Sequence, residues 1–501
     1  MNFSDSGFAK FKATMQDTMQ GTVQKVQSTV QTKLFFGHEP SPELLAILLV
    51  YFVQGILGLA RLAVSFFLKD ELALGPAEVS SLLGIVSIPW MVKPLFGFIS
   101  DGLPILGYRR RPYLILSGIL GVASWVSLAT LVHSGWSATL AIALGSLSIA
   151  MSDVIVDSLV VERARAESQS AAGSLQSLCW GASAVGGLLT AYFSGSLLQQ
   201  FSTQTVFLIT ATFPLIVSAV AWLIAETPLD EKPNWAVITQ QFGQLKQAIS
   251  QRSIFLPTLF LFLWQATPTG ESAFFYFTTN ELGFEPEFLG RVRLVTSFAS
   301  IAGIWIFQRF LKKISFRVIF GWSTVIASVL GLSALILVTH LNRELGISDR
   351  WFSLGDSLIL TVMGQIAFMP VLVLAARLCP PGVEATLFAL LMSVVNLAGF
   401  VSYQGGAFMM RWLNVTDHNF EQLGLLILIT NLMSLLPLPL LGWLPSAAEL
   451  PTGDEEVPVA IELDSSASKH LGQPFLPDVM AERVVDRVTV KPASTATNPQ
   501  Q

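Results

Sequence analysis

Twelve stretches of mostly apolar residues, separated by short polar intervals, dominate the chain. They fall at roughly 44–68, 78–103, 112–132, 137–162, 170–198, 204–225, 254–280, 286–310, 316–340, 352–377, 383–411 and 420–444. At about 1.5 Å per residue in a helix, about 20 residues cross the hydrocarbon of a bilayer. With no water to satisfy backbone groups there, the pattern predicts an all-α polytopic membrane protein of twelve transmembrane helices in two six-helix halves.

The longest internal interval, 226–253, begins as a Pro-rich linker (ETPLDEKPNW) and continues as a surface helix, dividing a first half at 44–225 from a second at 254–445. Residues 1–43 form an arm in which Phe8, Phe11, Met15, Met19 and Val26 recur at helical spacing among Lys10, Lys12 and Lys25. That arm reads either as an interfacial amphipathic helix or as a flexible Gln- and Thr-rich segment. Residues 446–501 are rich in Pro, Ser, Thr and acids and are expected to be disordered. A weak internal similarity relates RARAESQSAAGSLQSL, between spans four and five, to RLCPPGVEATLFALLM, between spans ten and eleven.

Composition agrees with the pattern: 52% of residues are hydrophobic and 13% charged, against roughly 25% charged in soluble domains. The net charge of −5 comes from the tail, which carries nine acids against four bases, so nothing points to nucleic acid. The two cysteines, Cys179 and Cys379, offer no disulfide framework or metal spacing, and the five histidines lie at span ends or in tails. There is no phosphate-binding P-loop. An enzyme is not expected, nor any metal or cofactor; an ion gradient or the solute's own gradient must supply the energy.

Cations set the orientation. Arg109–Arg111, Arg163, Arg165, Lys232, Lys246, Arg252, Arg309, Lys312, Lys313, Arg317 and Arg377 fall in one set of loops, and only Lys69, Arg343, Arg350 and Arg411 in the other. The positive-inside rule then places both termini in the cytoplasm. Arg61, Lys93, Arg291 and Arg293 remain within predicted spans, as do the acids Asp153, Asp157 and Glu271. A bare charge in hydrocarbon costs several kcal/mol, so these groups must face a wet or partnered interior.

Asp153 and Asp157, four residues apart in SLSIAMSDVIVDSLVVERA, share one face of span four. Asp153 lies roughly 15 Å from the cytoplasmic end and Asp157 roughly 9 Å, so the first is a midplane candidate and the second belongs to the inner vestibule or gate. Glu271 sits in WQATPTGESAFFYF, where Pro268 and Gly270 are expected to break span seven and expose backbone that only a cavity tolerates. A broken helix beside an acid is a recurrent transporter device.

Six spans, a central linker and six more spans are similar to the plan of the major facilitator transporters. The loop GFISDGLPILGYRRRPY adds an expanded form of their signature between spans two and three, with Gly97, Asp101, Gly107, Arg109, Arg110 and Arg111 as candidate gate residues. An acid at a helix end can latch to basic or helix N-terminal groups when one side is shut; the alternative is that the arginines only set topology.

Four segments make the resemblance more specific: VKPLFGFISDGLPILGYRRRPYLILSG, SDVIVDSLVVERAR, FLWQATPTGESAFFYFTTNELGFEPEFLGRVRLVTS and PPGVEATLFALLMSVVNLAG. Through them, residues 44–445 resemble the folate-biopterin transporters, especially the cyanobacterial and chloroplast branch. The resemblance implies uptake of folates or pterins driven by a proton gradient, in a cell inner membrane or plastid-type envelope; a monomer is sufficient for such a fold. Two alternatives stay open: a facilitator for another aromatic or anionic solute, and a facilitator-like pigment-handling or antenna-assembly protein without transport.

A pterin ring presents two parallel donors that a carboxylate accepts as a fork, and the glutamate tail of a folate needs fixed positive charge. The substrate candidates are therefore Asp153, Lys93, Arg61, Glu271, Arg291, Asn396 and Gln404, and the proton candidates Asp153, Asp157 and Glu271; Glu271 can instead form a structural pair with a cation of the other half, and interhelical hydrogen bonds are the commoner role of residues such as Asn396 and Gln404. Lys93 and Arg61 can hold the tail or neutralise a nearby acid such as Asp153. Of the two arginines in span eight, Arg291 is expected to enter the cavity and Arg293 to snorkel to headgroups.

Overall fold

The computed structural model describes residues 40–165, 169–228, 249–311, 314–378 and 384–445, with His38 and Gly243. The predicted amphipathic arm, most of the linker and the acidic tail lie outside the described residues, as does part of the pair of similar loop segments.

Eleven helices among the described residues are long and apolar enough to cross a bilayer: Pro42–Glu71, Pro76–Gly102, Arg111–Thr130, Gly135–Arg163, Ser177–Gln200, Thr203–Leu223, Pro286–Leu311, Phe316–Val338, Asp349–Ala375, Leu387–Trp412 and Leu423–Trp443. The predicted seventh span makes the twelfth, in two shorter pieces. Arg252–Gln265 ends before Thr267–Gly270, and the helix restarts at Glu271–Tyr276 and runs into a π turn, Phe277–Glu281. Pro268, which cannot donate to a helical ladder, lies in the gap.

Local sequence sets the other ends and bends. Ser41 caps the first span by accepting from the Leu44 amide at 3.1 Å, with Pro42 at the first helical position, as the capping preferences require. The second span is interrupted at Ser87 and Val92, beside Pro89 and Pro94, and this bend positions Trp90 and Lys93.

Small residues bring helices together. A Cβ on Gly55 would meet the Ser183 carbonyl oxygen at 2.1 Å, and one on Gly186 would meet that of Phe52 at 2.4 Å, so spans one and five touch backbone to backbone. This is the small-residue packing of membrane helices.

The first and seventh spans end alike. Each finishes in a π turn, Phe67–Glu71 and Phe277–Glu281, followed by a residue of positive φ (Ala73 at 49°, Gly283 at 64°) and a proline that opens the next helix. Leu72 donates to Phe67 as Leu282 does to Phe277, and Leu74 to Leu68 as Phe284 does to Thr278. In this shared register Arg61 and Glu271 occupy equivalent positions, each six residues before its π turn. The two halves thus present opposite charges from matching places.

The halves are joined most closely at the face away from the described chain ends. A Cβ on Gly195 would lie 2.9 Å from the Gly290 Cα, across the meeting of spans five and eight. Lys69 reaches Asn280 at 2.8 Å, the Tyr276 hydroxyl donates to the Leu74 carbonyl, and the Ser80 hydroxyl to that of Tyr403 at 2.9 Å. One buried apolar cluster joins Ala77 to Ala273, Phe277 and Met410 at this face, whereas another, around Phe260, Phe320 and Leu372, belongs wholly to the second half.

Gly186→Ala is expected to cost about 3 kcal/mol, the upper end for an overpacked site, because the opposing atoms are backbone. Gly181→Ala on the same helix, where a Cβ meets nothing within 4 Å, should be near neutral. Thermal unfolding of the two purified proteins in detergent checks the contrast.

Candidate functional site

A cavity of about 440 Å³ lies between the halves. The first half contributes Gln54 and Arg61 from span one, Trp90 from the bend of span two, Trp125 from span three, and Ser146 from span four; the second contributes Glu271, Phe275, Arg293 and Tyr403. Span one carries Gln54 and Arg61 seven residues apart, which on a helix is one face. Glu271 starts the second piece of the broken span.

The charged groups converge. Glu271 lies within electrostatic reach of both Arg61 and Arg293, and the Tyr403 hydroxyl donates to its carboxylate. Two arginines against one glutamate leave one formal positive charge in the cluster, suited to an anion that a guanidinium can clasp as a fork. Glu271 and Tyr403 also border a second, more polar cavity of about 280 Å³, behind the helix break and lined by Thr267, Thr269, Ser402, Thr430 and Asn431.

A second cluster is built on span four. Lys93 Nζ lies 2.7 Å from Asp153 and 3.2 Å from Asp157, and the Tyr51 hydroxyl donates to Asp157 at 2.6 Å. The Asp153 side chain is 2% exposed and that of Asp157 36%, so the two acids of one helical face differ in access to solvent. Lys93, Asp153 and Asp157 together carry one surplus negative charge. Trp90 links the clusters: its ring lines the cavity, and Lys93 Nζ lies 5.8 Å from the ring centroid.

Of the residues expected to bind substrate, Arg61 and Glu271 line the cavity, whereas Asp153 and Lys93 engage each other. Asn396 donates to the Trp90 carbonyl at 3.4 Å, and Gln404 is held by Ser81, accepting from its hydroxyl at 2.8 Å and donating to its carbonyl at 2.9 Å. Both are ties between halves. The expectation for span eight is reversed: Arg291 is exposed and paired with Glu287 one turn away, and Arg293 faces the cavity. Two residues apart, they point to different sides, and Arg293 has an acid across the cavity to meet.

The expected gate residues form a network within the first half. Arg110 bridges Asp101 at 2.8 Å and Glu162 at 2.7 Å. Gly107 has φ 82°, and the Gly97 position lies close to Val154. The backbone amides of Arg109, Arg110 and Arg111 all donate to the Glu226 carboxylate, which sits where a helix N-terminus favours an anion. Arg111 also donates to the Ile224 carbonyl at 2.7 Å. Glu226, just beyond the end of span six, is thus fixed to the loop between spans two and three. Sequence reasoning also missed Tyr51 and Tyr403, whose partners lie on other helices and leave no local signal. Arg293 had a signal, its spacing from Arg291, which was read the wrong way round.

Opposed charged side chains around a cavity between two six-helix halves define a membrane transporter, not an enzyme. The fold is similar to that of a nucleoside transporter, NupG, which superposes with a TM-score of 0.59 at 13% identity, over 80% of this chain and 98% of that one. The BT1 family model matches residues 54–458, and the chain belongs to that family, the folate-biopterin transporters. It is 62% identical to a folate-biopterin transporter of Synechocystis sp. over 83% of this chain and 84% of that protein. It is also 32% identical to folate transporter 2 of Plasmodium falciparum, over 80% and 88% of the two chains.

Removing Lys93 takes the ammonium group from buried Asp153. Lys93→Met is expected to destabilise by about 3–5 kcal/mol, the cost of breaking a buried ion pair from one side. Lys93→Met combined with Asp153→Asn should recover most of the loss, in thermal unfolding measured on the single and double variants.

Proposed function

We propose that the protein moves folates or unconjugated pterins across a membrane by alternating access, as a proton-coupled symporter. The observation that carries this reading is the cavity wall, where Arg61 and Glu271 meet from equivalent positions of the two halves beside Arg293 and an aromatic surface. A volume of about 440 Å³ is in the range of sites for drug-sized ligands. The surplus positive charge suits the carboxylates of a folate tail, and Trp90 and Trp125 suit the face of a pterin ring. The substrates for which the two relatives are named point the same way.

Coupling is assigned to the other cluster. Two aspartates held by one lysine form a cluster that can take up a proton, and the half-exposed Asp157 gives that proton a route. Separate clusters of opposite surplus charge let solute and proton travel together without competing for one group. The positive-inside rule places the face of the chain ends in the cytoplasm, so the halves are tied on the outside and the working conformation is inward-facing. The Asp101–Arg110–Glu162 network then belongs to the inner gate. A monomer in a cell inner membrane or plastid-type envelope completes the reading.

Uptake into proteoliposomes tests it. An acid-outside gradient should drive accumulation of labelled folate or biopterin, and a protonophore should reduce it to equilibration. Changing Asp153 and Asp157 together to Asn should abolish accumulation yet keep downhill exchange; accumulation with its pH dependence intact would exclude both as proton carriers. Arg61→Met should lower folate uptake on the order of 10- to 100-fold, the worth of a charge-assisted hydrogen bond. An unrelated aromatic anion transported in place of folate and biopterin would identify another solute.

A further inference from the structure

Gln54 is 3% exposed, and neither its carboxamide oxygen nor its nitrogen has a hydrogen-bond partner in the protein. Leaving a buried polar group unpaired forfeits its hydration without a replacement, so a side chain that does so at both atoms requires a reason. Other amides in the membrane body are treated differently. Gln404 is satisfied at both ends by Ser81, and Asn396 donates to the Trp90 carbonyl. Among the buried carboxamides of the described residues, Gln54 is the one with both atoms unmet.

Its position supplies the reason. Gln54 lines the central cavity on the helical face that carries Arg61, about 10 Å along the span, and shares the wall with Trp90 and Trp125. The Ser146 hydroxyl, on the same wall, is also buried and unpartnered. The cavity's charged groups are grouped around Glu271, so they answer a charged substituent. What Gln54 offers is a hydrogen-bond acceptor beside a donor in one plane. Its complement is a ring edge that places a donor beside an acceptor.

We infer that Gln54 reads the lactam edge of the pterin ring, its carbonyl accepting from the ring N3–H and its NH₂ donating to the ring 4-oxo group. The inference rests on the cavity's being a folate or pterin site, and it fixes the pose within it. The ring lies at the first-half wall between tryptophan faces, its lactam edge on Gln54, and an acidic substituent extends toward Arg61 and Arg293. An enclosed site built to hydrogen-bond a ligand group discriminates strongly against an analogue lacking it, because the protein's own polar atoms are then left unpaired.

The test crosses a change in the residue with a change in the ligand. Wild-type protein and Gln54→Met are reconstituted in proteoliposomes, and labelled folate uptake is competed by 2-amino-4-oxopteridine and by 2-aminopteridine, which lacks the 4-oxo group. In the wild type, loss of that group should weaken competition about 10- to 100-fold. In Gln54→Met, which keeps the length and removes the polar atoms, the two competitors should differ by less than about threefold. Thermal unfolding without ligand separates recognition from a structural role. An unpaired amide replaced by an apolar chain should leave the midpoint unchanged or raise it, and Gln54→Leu should behave in the same way. A lowered midpoint, or discrimination retained in Gln54→Met, overturns the inference while leaving the transport reading in place. A wild type that transports no folate or pteridine overturns the transport reading, and this inference with it.

Discussion

An ionised side chain inside a bilayer is tolerated only where another group meets it, and the arrangement of this protein follows from how its intramembrane charges are met. Span one presents Arg61, span eight Arg293 and the restarted span seven Glu271 to one cavity, so helices distant in sequence must converge there. Span two must bend at its prolines for Lys93 to reach both aspartates of span four. The break at Thr267–Gly270 obeys the same constraint, since backbone freed from a helix needs a polar cavity, and one of about 280 Å³ lies behind it. Apolar packing fills the space around these clusters without choosing their positions.

The contact between the halves has a different character. At the face away from the chain ends it is made by glycines in backbone contact, by Lys69 on Asn280 and by hydroxyls on carbonyls. Such contacts are individually modest, on the order of 1 kcal/mol for a hydrogen bond, and they bury no lone charge. An interface of that kind can be exchanged for another of similar worth, as the proposed alternation between two conformations requires. The backbone packing of spans one and five belongs within a half and is of the unyielding sort.

Much of this was legible in the sequence. Twelve apolar stretches, the break at Pro268 and Gly270, and the inward demand of Arg61, Lys93, Asp153, Asp157 and Glu271 all follow from patterns local to one span, and the motif segments pointed to the family. Partnership was legible only as one of two alternatives for Lys93 with Asp153 and for Asn396 and Gln404, because it depends on which helices meet. Asp153, favoured as a ligand for its depth, is held by Lys93. Asn396 and Gln404, polar at plausible depths, tie the halves. Tyr51 and Tyr403 act through partners on other helices, and the amide triplet of Arg109–Arg111 is met by a carboxylate more than a hundred residues on, at Glu226. The match between the ends of spans one and seven is faint in sequence, where FFLKDELALGP and YFTTNELGFEP are identical at four of eleven positions, and it becomes plain when both end in a π turn, a positive φ and a proline.

That match bears on how two clusters of opposite surplus charge can act together. Coupling needs the occupancy of one site to change the energy of the other, and the distance between clusters must be bridged by something that touches both. Trp90 meets that condition. Its ring lines the cavity, the Lys93 ammonium lies 5.8 Å from the same ring, and its carbonyl accepts from Asn396 of the second half. On the proposed reading, a ring stacked on Trp90 alters the field at Lys93 and therefore the hold of Lys93 on Asp153 and Asp157. A proton on either aspartate in turn frees Lys93 to lean toward the ring. The hydrogen bond to Asn396 makes both changes felt at the boundary between the halves, where a shift in conformation has to begin.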